Sequence, residues 1–163
     1  MMPFTLAEFS RLSPRLDRCE RELGQLSDFF DRHRRDVLAG DWGAVSAVSL
    51  GVHNVYNGIE DILMSLARDL DGSAPKGTTL HQDVLDQMAS ELAGRRPPLL
   101  SPDLHIQLTE LKGFRHLVRH KYGFDLQPEK VVDNVERLQR VYPSFSQRLI
   151  ALHDLLASDS SSL

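Results

Sequence analysis

Between Lys112 and Lys121 the chain carries Lys112, Arg115, Arg119 and Lys121, four positive charges with no acid among them, together with His116 and His120. Tyr122 follows, so Arg115, His120 and Tyr122 form an Arg-x4-His-x-Tyr arrangement. An arginine offers a planar fork of donors that fits a phosphate, and a histidine exchanges a proton near neutral pH. These are the minimum equipment for cutting RNA without a metal. The 2′-hydroxyl attacks the adjacent phosphorus, so its proton must be removed, the added negative charge stabilised and the leaving 5′-oxygen protonated. His120 can transfer protons, Arg115 can neutralise the phosphorane oxygens, and Lys112, Arg119 and Lys121 can guide the RNA backbone. DNA has no 2′-hydroxyl and would resist this route.

The basic run stands against an acidic chain of 19 basic and 23 acidic residues, net charge −4. That balance argues against nonspecific coating of nucleic acid and leaves room for one positive cleft. Cations in a last helical turn are also favoured by the macrodipole, by about 0.3 to 1 kcal/mol each. The spacing of Arg115 and His120 does not by itself choose between a catalytic and a purely electrostatic role.

The elements that must hold these residues are helices. Apolar residues recur at three and four positions far more often than at two, and no convincing strand appears. A first helix is predicted from Ser13, as N-cap before Pro14, to about Val37. Gly40, Trp42 and Gly43 break it, with Trp42 in the loop as a core plug or interface anchor. A second runs from about Ala44 to Leu70 with a stripe of Val45, Val48, Val52, Val55, Ile59, Ile62, Leu66 and Leu70. A third spans about Thr79 to Leu92. A fourth starts after Ser101 with Pro102 at its first position and reaches Tyr122, where Gly123 is suited to the stop. A fifth starts at about Pro128, and Pro143 should interrupt or kink it. The reading is an all-α, antiparallel bundle of about five helices forming one domain over residues 1–157, with a flexible tail at 158–163.

On a regular helix of about 100° per residue, Tyr122 lies about 20° and Arg119 about 40° from Arg115, while His120 lies about 140° away. Either the helix loosens before Gly123 and swings His120 round, or two copies meet and share a cleft. The second option makes dimerisation part of the activity.

The segment FRHLVRHKYGFDL, with YNGIEDIL, HQDVLDQM and RRPPLLSPDL upstream, resembles the HEPN superfamily and specifically the HepT-like ribonuclease toxins with their Arg-x4-His-x-Tyr motif. The similarity covers about Tyr56 to Val131. It implies a metal-independent endoribonuclease toxin of a toxin-antitoxin pair, with Arg115 and His120 catalytic and a homodimer that joins the paired motifs. It also implies a partner, a minimal nucleotidyltransferase antitoxin of the MNT type, which transfers AMP to Tyr122 and silences the nuclease. A bulky anion beside Arg115 and Arg119 would fill the cleft and compete with RNA for those cations. The alternative is a non-catalytic HEPN binding module that is partner or substrate of a nucleotidyltransferase.

On helix two, His53, Asn57, Glu60 and Asp61 form a polar seam that reads as solvated surface, although Glu60 can orient Arg115 or line the cleft with His116. His81 reads as a capping or partner-contact residue. His33, His105 and His153 lack a metal-ligand pairing, and neither a metal nor a cofactor is expected. Nothing resembles a phosphate-cradling glycine loop or a nucleophile elbow. The single cysteine, Cys19, excludes an internal disulfide and fits a reducing cytoplasm. No apolar run approaches the roughly 18 residues of a membrane helix, and the N-terminus MMPFTLAEFS lacks a signal pattern, so a cytoplasmic protein is expected.

Overall fold

A computed structural model describes residues 4–121 and 125–161. Their helices are α1 (Ala7–Ser10), α2 (Ser13–Leu38), α3 (Trp42–Asp71), α4 (Leu80–Met88), α5 (Pro102–His120) and α6 (Pro128–Ser161). Among these residues there is no strand beyond one isolated bridge, Leu92 to Arg96. The bundle is therefore all-helical, built from the five expected helices and one short N-terminal turn.

That turn, α1, changes how α2 begins. Ser13 is the first helical residue rather than its cap, because α1 feeds almost directly into α2 and Leu12 takes the cap position with a backbone oxygen that accepts from Leu16. Phe9 and Leu12 are fully buried by the arrangement. His153 on α6 fixes the segment before it, its Nε2 accepting from the backbone N–H groups of Thr5 at 3.0 Å and Leu6 at 3.3 Å.

Helix α3 is the axis of the bundle and touches every other helix. The Asp41 carboxylate caps it by accepting from Ala44 N at 2.9 Å, and Gly72 ends it at a φ of 83°, a left-handed conformation that glycine adopts without a Cβ penalty. Trp42 is helical and 66% exposed, which corrects its placement in a loop and removes the core-plug reading. The predicted stripe is buried, except Leu70, which is half-buried. Where α3 meets α2, Gly58 lies so close that a Cβ there would stand 2.4 Å from the Cys19 Sγ. Burial first, and then the Asp61 charge, push the Cys19 thiol up to about 11, so it stays protonated in this contact.

The chain leaving α3 is tied down by Arg96. Its Nε and Nη2 donate to the two Asp71 oxygens, each at 2.6 Å, and its remaining donors reach backbone oxygens of Gln87, Ser90 and Pro97. Arg148 of α6 holds the following turn through the Pro98 and Leu99 carbonyls, both at 2.8 Å. Helix α4 stops at Met88, shorter than predicted, because the Met88 carbonyl accepts from Leu99 and Leu100 instead of continuing a helix.

Helix α5 starts as expected, with Ser101 Oγ accepting from Leu104 N and Pro102 in the first turn. Helix α6 runs on through Pro143, which corrects the expected interruption. Pro143 faces solvent while Val141, Tyr142 and Phe145 on either side are buried, so packing keeps the helix continuous despite the lost donor. Residues 158–161, read in the sequence as tail, continue α6. Tyr122, Gly123 and Phe124 lie outside the described residues, and with them the motif tyrosine and the expected helix stop.

Candidate active site

Helices α4 and α5 and the turn before α4 enclose a cleft of about 420 Å³. Lys112, Arg115 and His116 line one wall, and Thr79, His81 and Gln82 line the other. The α5 residues arrive there because Leu104, Leu108, Leu111 and Phe114 bury the opposite side of the helix. A stripe of apolar residues at helical spacing thus aims the cations outward.

Each wall is braced. Arg115 Nε donates to Asn57 Oδ1 on α3, which fixes the plane of the guanidinium. Lys112 Nζ donates to Gln82 Oε1 at 2.6 Å, and the amide of Gln82 donates in turn to Asp86 Oδ1 at 2.9 Å. Asp86 also meets His105 Nε2 at 2.7 Å. The Gln82 bond first and the His105 bond second hold the Asp86 carboxyl below its usual range. His81 Nδ1 lies 2.5 Å from Glu60 Oε1.

Glu60 is the residue whose surroundings differ most from the sequence reading. It is only 6% exposed, while Asp61 beside it is exposed. The polar seam is thus not uniformly solvated: Glu60 is buried, and His53 and Asn57 are half-buried. A buried carboxylate is costly unless partnered, and His81 partners Oε1, while Oε2 has no hydrogen-bond partner among the described residues. The fully buried Tyr56 hydroxyl faces the same carboxylate without a tight hydrogen bond. Burial first, then the Glu60 charge, push that phenol above its usual value, and the Arg115 charge pulls it back. Tyr56, Glu60, His81 and Arg115 therefore share one electrostatic neighbourhood.

The rest of the basic run does not enter this cleft. Helix α5 stays helical to His120 and ends at Lys121, whose φ of −123° and ψ of 150° are extended. No loosening swings His120 towards Arg115, which overturns that option. His120 instead lies against His116, ring centroids 4.3 Å apart. Arg119, His120 and Lys121 are exposed, and Lys121 lines a separate small hollow with Asp125 and Lys130. Within one chain the structure joins Lys112, Arg115 and His116, backs them with Glu60 through His81, and leaves Arg119, His120 and Lys121 at the helix end.

Asn57, which braces the cleft, was not assigned to it by sequence, and His81, which lines it, was read first as a capping or partner-contact residue. The available signal was the spacing of Asn57 and Glu60, three apart on one face of an apolar helix. Among the described residues no three His, Cys, Asp or Glu side chains gather as a metal site, and no helix is long and apolar enough to cross a membrane.

The family model for the HepT-like protein matches residues 47–156, which takes in α4 and α5 and nearly all of α3 and α6. The chain belongs to the HepT-like family. The match extends beyond both ends of the resemblance in the sequence, reaching back into the first turns of α3 and forward to the last turns of α6. No curated protein and no solved structure gives a match. In this HepT-like protein the family region therefore contains both walls of the cleft and the α3 residues that brace them.

Proposed function

We propose that this HepT-like protein is a metal-independent endoribonuclease toxin of a toxin-antitoxin pair, acting in the cytoplasm. Family membership supports the class, since the family suggests toxins that act on RNA and pair with a nucleotidyltransferase. The observation that carries the reading furthest is the cleft itself, where Lys112, Arg115 and His116 converge with no carboxylate on its wall. The Asn57 bond engages Arg115 Nε, and an end-on contact through Nη1 and Nη2 is the geometry a phosphate takes. Arg115 stabilises the charge that builds on phosphorus, and Lys112, Arg119 and Lys121 hold the strand on either side.

His120 transfers a proton in this reading. Because α5 is regular, His120 points about 140° from Arg115, and a site that uses both draws them from two copies of the chain. The working unit is then a homodimer. Tyr122 accepts AMP from the cognate nucleotidyltransferase, and the new phosphate competes with RNA for Arg115 and Arg119.

The test is incubation of purified, partner-free protein with tRNA and total RNA in EDTA, after mass spectrometry has shown Tyr122 free of AMP. Cleavage ending in 2′,3′-cyclic phosphate, lost in Arg115→Ala and His120→Ala variants that keep their fold, is the expected result. Intact RNA from a verified dimer would favour a non-catalytic module that serves only as the nucleotidyltransferase's substrate.

A further inference from the structure

We propose that His81, oriented by Glu60, is a second proton-transferring residue of the cleft and acts as the general base towards the 2′-hydroxyl. The inference rests on the nuclease reading above and adds to it a residue that the Arg-x4-His-x-Tyr motif does not contain.

Cleavage by 2′-hydroxyl attack moves two protons at two places. One leaves the 2′-oxygen as its bond to phosphorus forms, and one joins the 5′-oxygen as its bond to phosphorus breaks. The products are a 2′,3′-cyclic phosphate and a 5′-hydroxyl, with no net oxidation and no water consumed. A single histidine handles one of these transfers at a time, so a second group helps. Within one chain, two histidines share the cleft with Arg115, His81 and His116. They are not equivalent. His116 is exposed and its neighbour is the ring of His120, which offers no fixed orientation. His81 is half-buried and has a carboxylate oxygen 2.5 Å from Nδ1.

That contact sets the chemistry. Glu60, as a carboxylate, only accepts, so Nδ1 of His81 carries the hydrogen, and in the neutral ring it is Nε2 that holds the lone pair. A carboxylate behind an imidazole holds the useful tautomer and stabilises the imidazolium that forms when Nε2 takes a proton. The cost of burying Glu60 has a functional counterpart in this arrangement. Among the described residues, the titratable or charged groups around His81 are Glu60 behind it, with Tyr56 beside that carboxylate, and Lys112, Arg115 and His116 across the cleft. Nε2 takes the 2′-hydroxyl proton while Arg115 receives the phosphorane charge, and the proton later passes from His81 to solvent. His120 supplies the proton to the 5′-oxygen.

The experiment measures single-turnover cleavage of two oligonucleotides by wild type, His81→Asn, Glu60→Gln and His120→Gln. One substrate is ordinary RNA, and the other carries a 5′-bridging sulfur at the cleavage site, whose thiolate leaves without a proton. Asn at 81 keeps a donor for Glu60 in the place of Nδ1 and lacks Nε2, so the buried carboxylate stays partnered and the fold is kept. The expected result is a fall of about 100-fold or more in rate for His81→Asn on both substrates, with loss of the acid-side limb of the pH profile. His120→Gln should recover on the sulfur substrate, because its missing proton is no longer needed. Glu60→Gln, a change at a positioning residue, should lower kcat and leave KM unchanged. Wild-type rate and an intact acid limb in His81→Asn, beside an inactive His120→Gln, would overturn the role of His81 alone. Rescue of His81→Asn by the sulfur substrate would overturn its role as the base. Inert wild-type protein would overturn the nuclease reading and this inference with it.

Discussion

Arg96 and Arg115 are both held by side chains of α3, yet the two guanidiniums are used in opposite ways. Arg96 is saturated: its side chain is 2% exposed, a bidentate pair joins it to Asp71, and three backbone carbonyls take its other hydrogens. Arg115 is half-buried and braced through Nε, with its head in the wall of an open cleft. An arginine that spends every donor internally closes a structure, and one that is anchored by a single bond is preorganised for something else. Nothing in the residue type separates them. The local supply of acceptors does.

Breaking Arg96 should therefore have the largest effect, and on stability. Arg96→Ala leaves the Asp71 carboxylate buried without its cation, a loss of about 3 to 5 kcal/mol. For a chain of this length that corresponds to a fall in Tm of roughly 10 °C, measured by thermal unfolding. Acid should mimic it in part. Burial pushes the Asp71 carboxyl up, but the Arg96 and Gln87 bonds and the Arg96 charge outweigh that and hold it below its ordinary value of 3.8. The unfolded chain then binds the proton first, so the contribution is whole above that value and fades as pH falls through the folded one. Asp71→Asn should remove this dependence as well as the pair.

Arg115→Ala should invert the pattern. Cleavage or growth inhibition should fall by about 100-fold or more, the loss expected when a donor to developing charge is removed. Stability should stay within about 0.5 kcal/mol, because the residue left behind is the half-buried amide of Asn57, which water can reach. A large drop in Tm would mean that Arg115 closes the structure as Arg96 does, and the comparison would fail.

The α2 contact tests whether the frame that carries both arginines is rigid. Gly58→Ala inserts a methyl where 2.4 Å separates it from the Cys19 sulfur, and a sulfur fixed in the core cannot move aside cheaply. A loss of about 1 to 3 kcal/mol is expected in denaturant titration, with any loss of activity following from the shift of Asn57 one residue away.

The helices were legible because their apolar residues repeat at the helical period, and Ser101 with Pro102 is a local signal that read correctly. What escaped were features decided by distant partners. Pro143 looks like a break until Val141 and Phe145 are seen to be buried on both sides. Glu60 and Asp61 are adjacent acids, and only the approach of His81, 21 residues away, distinguishes the buried one. The Arg96 to Asp71 pair spans 25 positions, and no periodicity marks it. For the site, the motif announced Arg115 and its neighbours, whereas the wall formed by α4 depended on how the turn after Gly72 folds back.

Asn57→Ala gives the smallest effect and sharpens the comparison most. It removes the bond to α3 that orients the Arg115 guanidinium, while the charge, the chain length and the cleft remain. If anchoring matters as argued, kcat/KM should fall by about 10-fold, near 1.4 kcal/mol of transition-state stabilisation, with Tm almost unchanged. The loss should be less than that of Arg115→Ala, because a free guanidinium still finds the phosphate for part of the time. A loss equal to that of Arg115→Ala would mean that orientation is the whole contribution of the arginine. No loss at all would mean that bound RNA orients Arg115 by itself, and that the bond to α3 is a feature of packing, closer in kind to those of Arg96.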